Sequence, residues 1–327
     1  MNGSDKANSH KQVVILYNPF AGRGESLKMA RDAEQFAIGK GWRVLRCTGS
    51  LYAGHIADVL VETETKEADL VILIGGDGTL RELISGLIKH RLRPEIAFIP
   101  MGNANVVARE LKIPLKPHKA LHMLNTSKTT EVDIGLVHLR QAEKIHSQIF
   151  LAMLEIGLGA KIVHVVNHLR LGKLQRLYQL WGDLVYALAG LFAFSKKEIA
   201  SVECTLQTDT QQETPPKFNT TQLIVANMQT YAKGWSFTPD ANCQDGLLDV
   251  AIATKHSRLA ALAGFIAAAN KRKQPPDRMC YTTTRALNLS GSDKLFMQID
   301  GDPVAFSGSA KISLQAKAFI IHIPADI

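Results

Sequence analysis

The apolar run Leu70-Val71-Ile72-Leu73-Ile74 stops abruptly at Gly75-Gly76-Asp77-Gly78-Thr79. Five consecutive leucine or β-branched residues read as a strand buried on both faces, as in a parallel sheet covered by helices. Glycines at the carboxyl end of such a strand let backbone N–H groups approach a ligand more closely than any Cβ permits, which suits phosphate oxygens. Asp77 stands among them with no evident structural duty, and an acid there can orient a metal, a water or an attacking hydroxyl. Gly-Gly and Asp-Gly are also common turn formers, so the stretch taken alone reads equally as an ordinary strand-to-turn junction.

Two more predicted strands end in glycine-bearing loops. Val13 to Tyr17 runs into Asn18-Pro19-Phe20-Ala21-Gly22-Arg23-Gly24, and Ile96 to Ile99 is closed by Pro100-Met101-Gly102-Asn103. Leu27, Ala30, Ala33, Phe36 and Ala37 recur at helical spacing between Ser26 and Ile38. Trp42 to Cys47 reads as a strand, a helix starts near His55, and Leu80 to Ile88 and Val106 to Leu111 are helical. Strands and helices thus alternate through about the first 130 residues, the pattern of an open α/β sheet with its ligands beyond the carboxyl ends of the strands.

After Glu131 the pattern changes. Ile149 to Met153, Ile199 to Leu206, Gln222 to Ala226, Leu248 to Ala253, Ala286 to Leu289, Leu295 to Ile299 and Ala318 to Ile323 read as strands of a mainly β second domain. Helical stretches interrupt it at residues 160–195 and 257–270. The apolar stretch from Leu174 to Phe194 is broken by Gln179 and Asp183 and has basic flanks, so it reads as a core helix, or as one resting on a bilayer, rather than as a span.

Thirty-eight Lys and Arg against thirty Asp and Glu leave a net charge of +8, which favours anionic partners without choosing among nucleotides, nucleic acid and acidic membranes. The four cysteines, Cys47, Cys204, Cys243 and Cys280, match no metal-ligand spacing and read as reduced thiols. Residues 1–12 are polar and read as a disordered leader without a secretory signal.

In their order along the chain, the Asn18-Pro19 loop, the Gly75 to Thr79 motif, the loop from Pro100 to Arg109, Gln244-Asp245-Gly246-Leu247-Leu248-Asp249-Val250 and the late turn Asp300-Gly301-Asp302 resemble the catalytic domain of the diacylglycerol kinase family. Its bacterial soluble lipid kinases, related to sphingosine and ceramide kinases, are the part of the family most similar. The resemblance implies an α/β nucleotide-binding domain of NAD kinase-like fold over residues 13–134. It also implies a mainly antiparallel β-sandwich for the lipid substrate over residues 135–327, with the C-terminal strand returning to the first domain. ATP would be the phosphoryl donor, Mg²⁺ the metal, and a hydroxyl of diacylglycerol or a related lipid the acceptor. The protein would be cytoplasmic and peripheral at the inner membrane surface, with no nucleic-acid partner.

The same resemblance assigns residues. Asn18, Gly22, Gly75, Gly76, Asp77, Gly78, Thr79 and Asn103 would contact the nucleotide, and Ser50 or Thr48 would fill the position after the second strand, where Leu51-Tyr52-Ala53 intervenes before Gly54-His55. Asp302 would accept the proton of the attacking hydroxyl, with a side chain one methylene shorter than the family's Glu. Asp77 would help orient the chemistry with Mg²⁺, and Asp300 would act beside them or hold the loop. A second Mg²⁺ site would consist of Asp245 with the carbonyls of Asn242 and Leu247.

Two departures bear on activity. Gly102-Asn103-Ala104-Asn105-Val106 stands where the family usually has Gly-Thr-x-Asn-Asp, so Val106 removes a carboxylate whose part Asp133 would take up. Thr230-Tyr231-Ala232-Lys233-Gly234 replaces the glycine-rich turn on the substrate side, and its Lys233 would face an anionic group. The alternatives are a nucleotide- or lipid-binding regulator that has lost turnover, and an NAD kinase, which the loop from Pro100 and the turn at Asp300 disfavour. A dehydrogenase is disfavoured because no Gly-x-Gly-x-x-Gly follows the first strand.

Overall fold

The computed structural model describes residues 11–62, 66–141, 144–171, 201–207, 216–231, 234–254 and 258–325. They fall into two units, one holding the chain up to Asp133 together with Lys317 onward, the other holding Ile134–Ala316.

In the first unit the strands β1 (Gln12–Tyr17), β2 (Arg43–Gly49), β3 (Leu70–Gly75) and β4 (Glu95–Pro100) form a parallel sheet in the order β4-β3-β1-β2. All six residues of β3 are buried, as an unalternated apolar run requires in a sheet covered on both faces. Tyr17 pairs with both Gly49 and Ile74, and Gly75 pairs with Pro100, so the loops after all four strands leave one end of the sheet.

Helices α1 (Ser26–Gly39), α2 (His55–Val59), α3 (Asp77–His90), α4 (Val106–Glu110) and α5 (Pro117–Met123) complete the unit. Met29, Ala30, Ala33 and Ala37 form the buried stripe of α1, and Leu80, Leu83, Ile84 and Leu87 that of α3. Gly86 lets α3 approach α2 closely, since a Cβ there would stand 2.9 Å from the Cα of Ala57.

In the second unit, β5 (Lys128–Gln141), which starts in the first, pairs antiparallel with β6 (Lys144–Phe150). β7 (Met153–Ile156), α6 (Leu158–Leu171), β8 (Val202–Gln207), β9 (Lys217–Thr220), β10 (Leu223–Ala226), β11 (Leu248–Ala253), α7 (Arg258–Ala269), β12 (Met279–Thr284), β13 (Ala286–Ile299) and β14 (Asp302–Ile323) follow. The order β12-β11-β10-β7-β13-β14 is antiparallel throughout, and β8 pairs with both β13 and β9. Phe150, Leu154, Val225, Val250, Met297 and Phe306 belong to its core.

The run from Ile149 to Met153 is not one strand. It splits between β6 and β7 at Leu151 and Ala152, whose amides turn to Asp300. The two short runs Ala286 to Leu289 and Leu295 to Ile299 are conversely the ends of one strand, β13, whose register shifts between Gly291 and Leu295.

The last part of β14 lies in the first unit, where Ile320 and Ile321 pair in parallel with Glu95 and Ile96 of β4. Lys317 turns the chain there at φ 51°, and its N–H donates to Oδ1 of the buried Asp133 at 2.6 Å. His322 is fastened at both ring nitrogens, to Ser127 Oγ at 2.8 Å and to Glu95 Oε2 at 3.0 Å. Lys11 pairs with the same carboxylate at 2.5 Å, and the hydrogen bond from His322 with that of Lys11 holds Glu95 down to about 2.

Among the described residues no helix is long and apolar enough to cross a membrane, and none of the four cysteines forms a disulfide. Leu174 to Phe194, Lys233 and residues 1–10 of the expected leader lie outside the described residues.

Candidate functional site

The three glycine-bearing loops of the first unit are stitched together by main-chain contacts. Asn18 N–H donates to Ile74 O at 3.0 Å, Gly22 N–H to Met101 O at 3.0 Å, and Met101 N–H to Gly75 O at 2.7 Å. Asn18 also donates from Nδ2 to Thr79 Oγ1 at 3.3 Å, while its Oδ1 accepts the N–H of Phe20. Gly22 adopts φ 60°, and a Cβ on it would stand 2.2 Å from Met101 Cε. Gly76 and Gly102 meet backbone to backbone, so that a Cβ on Gly102 would be 2.7 Å from the Cα of Gly76.

Helix α3 opens inside this rim. Gly76 is its N-cap and Asp77 its first residue. Unpaired N–H groups and the positive end of the helix dipole therefore gather at Gly78 and Thr79. Gly78 is exposed, with nothing within 4 Å of where its Cβ would lie, so the first turn faces open space. Phosphate oxygens are the natural occupants of such a helix start.

Asp77 has a structural duty that its sequence context concealed. Its Oδ2 accepts the N–H of Val106 at 3.0 Å and its Oδ1 that of Val107 at 3.1 Å, so it caps the start of α4 while standing at the start of α3. Burial pushes its carboxyl above the usual range, and these backbone donors pull against the shift. Val106 thus serves the rim through its N–H.

Asn105 is the residue that sequence reasoning passed over. It is buried, sits in the left-handed region at φ 48°, and closes its loop through Oδ1 to Gly102 N–H and Nδ2 to Gly102 O, both at 2.9 Å. Asparagine between turn residues is a known signal for that backbone region. Asn103, by contrast, is exposed on the same loop.

Thr48 and Ser50 are half-buried at the end of β2, and Ser50 N–H donates to Tyr17 O at 2.9 Å. Leu51, Tyr52 and Ala53 form an exposed turn folded back on His55, whose Nδ1 accepts the Leu51 N–H at 3.3 Å. Glu82 accepts the N–H of Ile56 at 3.0 Å and so caps the start of α2.

In the second unit Asp300 and Gly301, at φ 49° and 86°, make the two-residue hairpin between β13 and β14. The Asp300 carboxylate accepts three backbone N–H groups, from Leu151 at 2.8 Å, Ala152 at 2.9 Å and Met153 at 3.1 Å. Asp302 is exposed at the first position of β14. At the other acidic turn, Asp245 Oδ1 accepts the N–H of Leu247 at 2.9 Å and Asn242 Oδ1 that of Gln244 at 3.2 Å. Asp249 nearby is pushed up to about 6, by burial first and then by the charges of Asp245 and Asp240.

Comparison with known proteins agrees with both units. The diacylglycerol kinase catalytic domain family matches residues 12–137, and the YegS C-terminal NAD kinase beta sandwich-like domain matches residues 152–318. The chain is a lipid kinase of the diacylglycerol kinase family.

The kinase is 28% identical over 318 residues to a probable YegS-like lipid kinase of Pseudomonas aeruginosa, covering 96% of this chain and 95% of the relative. It is 25% identical over 299 residues to a diacylglycerol kinase of Staphylococcus epidermidis, covering 89% and 86%. A crystal structure of a putative diacylglycerol kinase from Bacillus anthracis superposes on the kinase with a TM-score of 0.70 at 20% identity, over 97% of this chain and 99% of that one. Yeast NADH kinase in complex with NADH gives 0.52 at 11% identity, over 98% of this chain and 84% of that one. At these identities the two structures show a shared fold: an α/β first part and a mostly antiparallel β-sandwich second part.

Proposed function

We propose that the kinase transfers the γ-phosphoryl group of ATP to a hydroxyl of diacylglycerol or a related lipid, with Mg²⁺, from a cytoplasmic position at the inner membrane surface. The observation that carries this reading is the rim of Asn18, Gly22, Gly75, Gly76, Gly102 and Asn105 around the open first turn of α3. Its N–H groups receive the ATP phosphates, with Thr48, Ser50 and Asn103 as further nucleotide contacts. Asp302 takes the proton of the attacking hydroxyl, and Asp300 keeps the turn that carries it in place.

The residues present fit a hard divalent cation, which takes oxygen donors. Burial disfavours the charged form of the half-buried Asp77, and Asp249 is pushed up by burial and then by the charges of Asp245 and Asp240, the last of which pairs with Lys273. Asp77 would hold Mg²⁺ at the phosphates, and Asp245 with the carbonyls of Asn242 and Leu247 a second ion. When bound, the metal neutralises charge on the phosphoryl group in flight.

Asp249 makes the second site testable by pH. Its folded-state value of about 6 lies above its ordinary 3.8, so the folded chain binds this proton more tightly than the unfolded one. Stability from this group is therefore greatest below pH 3.8 and is lost as pH rises through about 6. Added Mg²⁺ should raise Tm more at pH 7 than at pH 5, as read by scanning calorimetry. No shift at pH 7 removes Mg²⁺ from this cluster, and an equal shift at both pH values removes Asp249 from its site.

Gly102→Ala forces the rim apart at Gly76, an overpacking strain of about 1–3 kcal/mol. If about half of it falls on the ATP-bound form, titration calorimetry reads an ATP affinity about twofold to tenfold weaker. Unchanged affinity would show that the Gly76–Gly102 contact plays no part in binding.

The activity itself is tested by incubating the full chain with radiolabelled ATP and mixed-lipid vesicles, and separately with NAD. Label entering lipid, and lost in Asp302→Asn, is the expected result. ATP binding without transfer to either acceptor supports the regulator, and label on NAD supports an NAD kinase.

A further inference from the structure

Glu155 and Gln298 are fully buried cross-strand partners on β7 and β13 that the proposed chemistry leaves unused. Gln298 works at both ends. Its Oε1 accepts the N–H of Gly301 at 2.6 Å, and its Nε2 donates to Glu155 Oε2 at 3.2 Å, with Met153 Sδ at 3.7 Å. The second carboxyl oxygen of Glu155, Oε1, has no hydrogen-bond partner among the described residues, and burial pushes the acid up to about 7. Room for it is provided by Gly159 on α6, where a Cβ would stand 2.1 Å from Oε1.

A carboxyl in this position is costly to the fold. Burying it forfeits hydration that the Gln298 amide and the Gly159 N–H replace only in part, and an apolar side chain of like volume would pack there without that loss. Nor does Gly301 need Gln298 for satisfaction, because Gly301 is exposed and water can accept its N–H. What Gln298 supplies is direction. It ties the Gly301 amide, the Asp300–Gly301 peptide link one residue before Asp302, to Glu155 on β7.

We propose that Glu155 and Gln298 are a positioning pair for phosphoryl transfer: Glu155 fixes the amide of Gln298, and Gln298 fixes the Gly301 amide and with it the aim of Asp302. The inference rests on the reading of Asp302 as proton acceptor. A displacement of the acceptor of order 1 Å costs up to a hundredfold in rate, so the pair acts on kcat.

The test is steady-state kinetics of the full chain with ATP and diacylglycerol-containing vesicles, with Tm measured alongside. Gln298→Met and Glu155→Met should each lower kcat roughly tenfold or more, leave the KM for ATP unchanged, and keep or raise Tm. The double variant should lose no more than Gln298→Met alone, and Glu155→Gln, which still accepts from Gln298, should recover kcat. If a methionine variant unfolds, Gln298→Asn, too short to reach Gly301, carries the same expectation. Wild-type kcat in the Gln298 and Glu155 variants beside an inactive Asp302→Asn overturns the pair alone. Wild-type kcat in Asp302→Asn overturns the reading of Asp302, and the pair falls with it. A KM that rises with kcat unchanged also overturns it.

Discussion

Asp77→Asn should lower turnover by about a hundredfold or more, the range over which a positioned acid–base or charge-organising group acts. The variant keeps one acceptor oxygen but sets an NH₂ group against either the Val106 or the Val107 N–H, and it removes the negative charge from two helix starts at once. On the proposed reading Val106 stands where the resemblance has an acid, so fewer carboxylates would remain to organise metal and water, and more of the effect would fall on Asp77. Asp77→Ala goes further, freeing both N–H groups at a cost of roughly 2–3 kcal/mol. Kinase assays paired with urea unfolding separate the two losses: Asn should fail mainly in kcat, Ala in both. Near-normal turnover of Asp77→Asn would reduce Asp77 to a helix cap.

Asp300→Ala is expected to produce the largest loss of stability among the acidic residues, roughly 2–4 kcal/mol, because three backbone donors lose a charged acceptor. Alanine also pays for φ 49°, a region that asparagine tolerates. Asp300→Asn keeps the turn but loses the charge and sets its NH₂ against at least one of the three donors, so it should lose less than Ala without matching the wild type. The comparison of the two by urea unfolding isolates the carboxylate from the turn. If Asp300→Ala unfolds at the wild-type midpoint, the bonds to Leu151, Ala152 and Met153 contribute nothing net to the second unit.

The parallel sheet was legible because its strands are unalternated apolar runs: Leu70 to Ile74 and Ile96 to Ile99 were each read to within a residue of β3 and β4. β5 was not, since Lys128, Thr129, Thr130 and Glu131 dilute its apolar alternation and Gly135 interrupts it. Gly135 is accommodated by the ring of Phe150 lying across it, where a Cβ would be 1.9 Å from Cζ, a contact visible only in three dimensions. The first half of β14 was hidden in the same way by Ser307, Gly308 and Ser309.

At the site, residue types were legible and their duties were not. Gly76 and Gly102 stand out in the sequence as glycines, but the reason both must lack a Cβ is each other. Asp77 looked unemployed because its partners, Val106 and Val107, are some thirty positions away along the chain. Hydrogen bonds of such sequence separation leave no periodic trace.

The return of β14 to β4 sets a schedule for synthesis. Residues 317–325 leave the ribosome only after the whole of residues 134–316. At ordinary translation rates that interval is roughly ten to forty seconds. Throughout it the nascent first unit presents the open edge of β4, with Ile96 and Phe98 in the strand, to any passing chain. The rim around the first turn of α3 needs only residues that have already emerged, so on the proposed reading nucleotide can reach it before the sheet is sealed. Early ligand would then stabilise the exposed half by mass action, in proportion to its concentration over Kd.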